Sequence, residues 1–262
     1  MTRVVFMTGN ARRHRYAARS LACAVELVGV ISEAKQPVVD GTDQLSSEDL
    51  QTIRSHLAER DEVEATMLGE SSTFPDVPVL AVQHGEANAP TTAEWLAAHS
   101  PDFVILFGTS IIKADLLDRW PNRVVNVHLG LSPYYRGSGT NFWPLVNGEP
   151  ELVGATIHLA TAKVDAGPIL CQVRPDVFPG DRAHHLGTRT IVAAFRAVPP
   201  VLEDYHRGAL VPKAQRPGGH LYRRRDFDAT AVRRLWSQLH EHMIEAYLAR
   251  REERLAKHPI IE

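Results

Sequence analysis

Of 262 residues only two are cysteine, Cys23 and Cys171. Both stand in apolar surroundings, so they read as small buried hydrophobes of a reducing compartment rather than a disulfide framework. No apolar stretch is longer than a strand needs, so no membrane-spanning helix is expected. The formal net charge is −2, too small to steer a polyanion, which argues against nucleic acid as a partner. Metal-ligand spacing is missing as well. His184-His185 are adjacent and His240 and His242 stand two apart, so each pair diverges on a helix. The opening run Arg3 to Met7 is short for a secretory leader and passes straight into Gly9-Asn10, which makes a cytoplasmic protein the expectation.

What is present is a pattern of alternating strands and helices. Arg3 to Thr8 is a compact β-branched run, ended by Gly9-Asn10. A helix from about Arg13 carries Leu21, Ala22 and Val25, and Leu27 to Ser32 reads as the next strand. This is how a mostly parallel α/β sheet begins. Residues 33–73 are polar and read as a helical insertion. Ser46-Ser47-Glu48-Asp49 starts its helix, with Leu50, Ile53 and Leu57 at helical spacing, running towards Met67. Thr91 to Glu94 is a capping-box pattern for a short helix. Phe103 to Phe107 is apolar on both faces, as a central parallel strand should be. Val124 to His128, Val153 to Leu159 and Ile169 to Val173 complete the strands. Asp181 is placed to cap a helix reaching Pro199-Pro200. The division expected is therefore a catalytic domain over 1–200 and a C-terminal extension over 201–262. The extension carries Arg223-Arg224-Arg225 and one long helix. Val232, Leu235, Trp236, Leu239, Met243, Ala246 and Tyr247 form a stripe on it that must pack on the main domain or on a second subunit, which leaves a homodimer open.

The chemistry concentrates at Asn126-Val127-His128 and at Asp165. Asn126 and His128 alternate on one strand, so their side chains share a face at its carboxyl end, where open α/β sheets bind ligands. Asp165 lies in a glycine-bounded loop able to bring back a carboxylate. An amide donor, an imidazole and a carboxylate are what acyl transfer asks for. The following loop, Gly130 to Gly139, offers backbone amides and the Arg136 guanidinium to a ligand. At the first strand-to-helix turn, Asn10, Arg12, Arg13 and Arg15 surround a helix N-terminus. That arrangement favours an anion, such as a phosphate or carboxylate of a substrate, with a solvated helix start as the alternative.

Four motifs in order carry a resemblance: Asn126-Val127-His128, Ser132 to Gly137, Gly154 to His158, and Val164 to Leu170. Together they resemble the folate-dependent formyltransferase superfamily, which includes glycinamide ribonucleotide, methionyl-tRNA and sugar amine N-formyltransferases. The resemblance implies a Rossmann-like formyltransferase fold and 10-formyltetrahydrofolate as the formyl donor. It assigns Asn126 to the formyl oxyanion, His128 to oxyanion stabilisation and proton transfer while charged, and Asp165 to keeping His128 charged. It puts the pterin on the strand end at Phe107, Gly108, Thr109, Ser110 and Ile111, with Thr161 and Val164 in the loop opposite. Thr156 and His158 match family positions in support of Asp165, or in catalysis. The expected reaction moves a formyl group to the amine of a small anionic acceptor: an amino sugar, a sugar nucleotide or an amino-acid-derived metabolite. Hydrolysis of formyltetrahydrofolate is the alternative. Transfer to methionyl-tRNA is disfavoured by a helical tail where those enzymes carry a β-barrel. No metal is implied.

Overall fold

The computed structural model describes residues 1–35, 45–69 and 72–262. The strands expected from the β-branched runs form, separated by helices. The chain order is β1 (Arg3–Thr8), α1 (Arg12–Ala22), β2 (Glu26–Glu33), α2 (Ser47–Leu68), β3 (Val79–Val82), α3 (Pro90–His99), β4 (Phe103–Phe107), α4 (Ala114–Leu117) and β5 (Val124–His128). It continues through β6 (Tyr135–Gly137), α5 (Trp143–Val146), β7 (Ala155–Leu159), β8 (Ile169–Val173), α6 (Ala183–His206), β9 (His220–Tyr222), α7 (Ala229–His240), α8 (Met243–Ala249) and α9 (Arg251–Lys257).

Seven strands form the main sheet in the order β3-β2-β1-β4-β5-β7-β8. Pairings from β3 to β5 are parallel, and β7 runs antiparallel to both β5 and β8. β4 sits at the middle and all its side chains are buried, which is why its sequence shows no polar alternation. Alternate strand residues feed two cores. Val4, Phe6 and Ile105 pack with Leu21 of α1 and Phe195 of α6, while Val5, Met7 and Leu106 pack with Leu96 of α3 and Leu116 of α4. The order reverses between β1 and β4, and that switch point opens a crevice at the strand carboxyl ends.

Several elements depart from expectation. α3 begins with Pro90 at its first position rather than with a Thr91 cap, and Thr92 Oγ1 instead donates to the Glu86 carbonyl. Asp181 does not cap α6. It grips Arg189 at 2.5 and 2.7 Å and receives the Phe178 N–H. α6 runs through Pro199-Pro200 to His206. Two lost backbone bonds are tolerated there because Val201 and Leu202, beyond the prolines, are buried against the sheet. α1 stops before Val25, and Cys23 at its end is exposed rather than buried.

The long C-terminal helix breaks in two at His242, whose φ is 61°. The bend turns Met243, Ile244 and Tyr247 back into the cluster that Ala231 and Leu235 enter, together with Tyr135, Trp143 and Leu145. Most of the apolar stripe is thus packed on its own chain, with Trp236 and Leu239 half-buried and Ala246 exposed. Among the described residues no helix is long and apolar enough to cross a membrane.

Residues 36–44 and 70–71 of the insertion lie outside the described residues. Its helix α2 starts at Ser46, whose hydroxyl accepts the Asp49 N–H at 3.1 Å. α2 is docked, not free-standing. Glu64 meets Arg13 of α1 at 2.6 Å, Asp49 meets Arg233 of α7 at 2.5 Å, and Glu59 meets Arg182 at 3.2 Å. The His56 carbonyl faces His184 Nε2 of α6 at 2.8 Å.

That docking buries two imidazoles. Burial, with Arg60 nearby, pushes His56 down to about 4. Burial and the neighbouring His56 ring push His184 down to about 3, with its bond to the His56 carbonyl opposing them and Arg60 and Arg13 adding to the fall. Unfolded histidines titrate near 6.5, so the unfolded chain binds protons first in acid. The stabilisation these neutral rings provide is complete above pH 6.5 and is lost as the pH falls towards 4 and 3, by about 1.4 kcal/mol per pH unit per ring. Urea midpoints should drop steeply from pH 6.5 to 4, and His184→Gln should flatten that slope. Identical slopes in the two proteins would contradict the docking described here.

Candidate active site

The β5–β7 register assembles the site. Asn126 lies opposite His158 and His128 opposite Thr156, and directly opposed residues of an antiparallel pair share a face. Asp165, in the turn between β7 and β8, takes a left-handed conformation with φ 49°, which aspartate tolerates better than bulkier residues. Two residues on, a Cβ at Gly167 would stand 1.8 Å from the Leu159 carbonyl oxygen. Only glycine lets the turn close this tightly.

The three residues singled out in the sequence meet. His128 Nδ1 is 3.4 Å from Asp165 Oδ1. Asn126 Nδ2 donates to the same oxygen at 3.3 Å and to His158 Nε2 at 3.1 Å. The Gly137 N–H donates to Asp165 Oδ2 at 3.1 Å. His158 Nε2 lies 3.8 Å from Oδ1, and its Nδ1 faces the Leu159 carbonyl at 2.8 Å. A proton on Nδ1 serves the Leu159 carbonyl and lets Nε2 accept from Asn126, whereas a proton on Nε2 serves Asp165.

The electrostatics differ from expectation at one point. Burial alone would raise the Asp165 carboxyl, but His158, His128 and the Gly137 N–H outweigh it and hold the group below the usual carboxylate range. For His128 burial is also the largest influence and it prevails. The ring is pushed down despite the attraction of Asp165, with His158 adding to the fall and the Tyr135 carbonyl opposing it. The expectation that Asp165 keeps His128 charged is therefore corrected: the resting ring is neutral. Each of its nitrogens nevertheless faces an oxygen, Nδ1 towards Asp165 and Nε2 towards the Tyr135 carbonyl at 3.2 Å. A proton gained during reaction would find an acceptor at both positions.

The loop after β5 is shaped to admit that ring. A Cβ at Gly130 would lie 2.7 Å from His128 Nε2 and 2.6 Å from Thr140 Cβ. Thr156 Oγ1 ties the loop down by donating to the Gly130 carbonyl at 2.7 Å and accepting the Ser132 N–H at 2.9 Å. Gln172 Nε2 adds bonds to the Ser132 carbonyl and to Thr156 Oγ1. Thr156 is therefore a positioning residue, while His158 belongs to the triad's own network.

A cavity of about 940 Å³ opens over these residues. Phe107, Gly108, Thr109, Ser110, Ile111, Thr161 and Val164 all line it, as do Asn126, His128 and Asp165. Part of the strand-end backbone is already engaged. The Phe107 carbonyl accepts from Thr8, the Ile111 carbonyl from Asn88, and the Ser110 N–H donates to Glu33 at 2.6 Å. The carbonyls keep a second lone pair, whereas the Ser110 N–H has nothing left for a pterin. Glu33 also accepts the Gly85 N–H at 2.7 Å. This buried carboxylate ties the 108–111 loop to the end of β2, a role its sequence neighbourhood did not signal.

The arginines expected to receive an anion are differently placed. Arg12 donates to the Gly69 carbonyl, Arg13 to Glu64, and Arg15 to Asn10, which uses its own carbonyl and side-chain oxygen in the contact. Of Asn10, Arg12, Arg13 and Arg15, only Arg13 lines the cavity. Arg136 does not line it either. It sits on β6, paired with β9, with its Nε buried and unpartnered. The rest of the lining includes residues to which the sequence pattern assigned no part in the site: His56 and Arg60 of α2, Phe142, His184 and Phe227. Their sequence spacing, from 56 to 227, carries no local pattern by which they could be found. Among the described residues no group of three or more His, Cys, Asp or Glu side chains could hold a metal ion.

Comparisons with known proteins bear on the family and the fold. A family model described as formyl transferase matches residues 2–202. The methionyl-tRNA formyltransferase of Trichlorobacter lovleyi is 32% identical over 156 residues, or 56% of this chain and 49% of that protein. The chain thus spans about half the length of that curated relative. Among solved structures, phosphoribosylglycinamide formyltransferase from Anaplasma phagocytophilum superposes with a TM-score of 0.57 at 19% identity, covering 85% of this chain and 97% of that one. A sugar N-formyltransferase from Shewanella sp. FDAARGOS_354 gives a TM-score of 0.56 at 17% identity, covering 87% of this chain and 78% of that one. At such identities the structural likeness concerns the fold. The family match spans most of the sequence, and the chain belongs to the formyl transferase family.

Proposed function

We propose that this protein is a folate-dependent N-formyltransferase that moves a formyl group from 10-formyltetrahydrofolate to the amine of a small anionic acceptor. The observation that carries the reading is the meeting of Asn126, His128 and Asp165 around one carboxylate at the floor of the cavity. A structure of similar fold supports the donor: PseJ from Anoxybacillus kamchatkensis, with a TM-score of 0.50 at 16% identity over 88% of this chain and 97% of that one, is in complex with UDP-4,6-dideoxy-4-formamido-L-AltNAc and tetrahydrofolate.

The chemistry follows from the side chains. The amine nitrogen bonds to the formyl carbon, and the C=O π electrons move to oxygen. Asn126 exchanges its 3.3 Å bond to Asp165, the longer of its two, for a bond to that oxygen. His128 supplies the second donor. Asp165, ionised and lining the cavity, draws the proton released by the amine, directly or through water, and passes it to Nδ1 of the neutral His128, 3.4 Å away. The bond from the formyl carbon to the folate nitrogen then breaks, that nitrogen takes a proton from His128, and a formamide and tetrahydrofolate remain. Water in place of the amine would give formate, the hydrolytic alternative. Transfer to methionyl-tRNA has the Trichlorobacter lovleyi relative in its favour. Against it, the C-terminal segment forms helices packed on their own chain, and only a short basic patch precedes them.

A panel of phosphorylated and carboxylated amines incubated with 10-formyltetrahydrofolate should show one member gaining one formyl group by mass spectrometry. Formate release without any amine would favour hydrolysis, and a gel shift with initiator tRNA would favour the nucleic acid reading. Asn126→Ala, His128→Ala and Asp165→Ala should each lower kcat on the order of hundredfold or more with melting temperatures retained. Wild-type turnover in purified His128→Ala would refute the assignment. Gly130→Ala, which crowds His128 from outside the triad, should lower kcat by tenfold or more while leaving the donor KM within twofold.

A further inference from the structure

The cavity that Asn126, His128 and Asp165 line extends over a second wall built from elements outside the main sheet. His56 and Arg60 come from α2, His184 from α6, Phe142 from just before α5, and Phe227 from just before α7. None of them lies on the main sheet. Four rings gather here. The His56 ring centre is 4.3 Å from His184, 5.4 Å from Phe142 and 6.1 Å from Phe227, and the two phenylalanines meet edge-on at 5.1 Å. His56 is only 4% exposed, yet its Nδ1 has no hydrogen-bond partner. A buried polar atom left so is costly, and a ligand polar group would relieve the cost.

Charge of one sign accompanies the rings. Arg13 and Arg60 both line the cavity. Arg13 is held by the buried Glu64 at 2.6 Å. Arg60 rests its Nε and Nη2 on one oxygen of Asp61, at 3.1 and 3.0 Å, and the Asp61 side chain is 68% exposed. Water screens such a pair, so an incoming dianion can displace Asp61 from Arg60 at little cost. Glu64, buried beneath Arg13, stays in place.

We propose that this wall is the acceptor subsite and that it takes a phosphate-bearing amine: the phosphate on Arg60, its ring against Phe142 and Phe227, and a hydroxyl or amide on His56 Nδ1. The role as acceptor site rests on the formyl-transfer reading, while the recognition of a phosphate-bearing ring does not. The ring is either the base of a nucleotide-linked amine or the sugar of an amino sugar phosphate. Both sources share the phosphate, and they differ in what Phe227 contributes.

Calorimetric titration of the full chain with uridine 5′-diphosphate and with glucosamine 6-phosphate separates them, with 5-formyltetrahydrofolate titrated in parallel. The wild-type protein should bind at least one of the two phosphates. Arg60→Ala should weaken that binding tenfold or more while 5-formyltetrahydrofolate binds within twofold of wild type. A comparable loss for the diphosphate in Phe227→Ala assigns the nucleotide. Loss confined to Arg60→Ala with glucosamine 6-phosphate assigns the sugar phosphate. Circular dichroism and melting temperature check that both variants fold, and both replaced residues are only partly buried. Binding of neither phosphate by the wild-type protein, or wild-type affinity in both variants, would overturn the subsite. Failure of the wild-type protein to bind 5-formyltetrahydrofolate would instead sink formyl transfer and leave the phosphate result standing.

Discussion

A carboxylate removed from water must be answered by other groups, and the answer given to Asp165 organises this molecule. Its two oxygens are met by an amide from β5, a backbone N–H from β6 and the imidazoles of His128 and His158. Each partner reaches it through a different feature of the fold. The β5–β7 register supplies three of them on one face, the Gly167 turn sets the height of the carboxylate, and the chain after Gly130 returns Gly137 to its far side. A shift of one residue in that register would send Asn126 and His128 to the opposite face together.

The burial that makes these contacts strong also sets the protonation states. His128 is held neutral at rest between two oxygens, so a site with both acceptors in place awaits a proton that burial disfavours. Charge can then develop where the reaction needs it without the protein having to reorganise, which is the preorganisation that acyl transfer rewards. Second-tier residues keep this arrangement stiff. Thr156 and Gln172 bind the backbone of the loop that carries Gly130, and the last residues of the chain close on Gln172 through Ile261.

The insertion and the C-terminal segment do something different. They are attached to the sheet's helices by salt bridges and a buried pair of histidines, and their inner surfaces become cavity wall. Two of the four arginines that a sequence reader would assign to substrate, Arg12 and Arg13, are consumed in that attachment. An arginine count near a helix N-terminus is a statement about potential partners, and partners within the chain compete with any ligand at high effective concentration.

Local pattern carried the sheet. The apolar run at Phe103–Phe107, the β-branched run at Arg3–Thr8 and the alternation at Asn126 and His128 each depend on neighbours one or two residues away, and each is where it was expected. The Ser46 cap was legible for the same reason. The ends of α6 and the break at His242 were not, because burial of Val201, Leu202, Met243 and Tyr247 outweighs the local preference of the prolines and of a continuous stripe. Nor could the primary order reveal that His56, Phe142, His184 and Phe227 form one wall, since contacts between residues up to 171 positions apart depend on how whole elements dock. The amino-acid order by itself determined the main-sheet strands and the face that Asn126 and His128 share, because a strand's period of two is a local property. Only tertiary packing decided which arginines remain for a ligand, which imidazoles stay neutral and what lines the cavity beyond the sheet, because burial and pairing belong to the assembled chain.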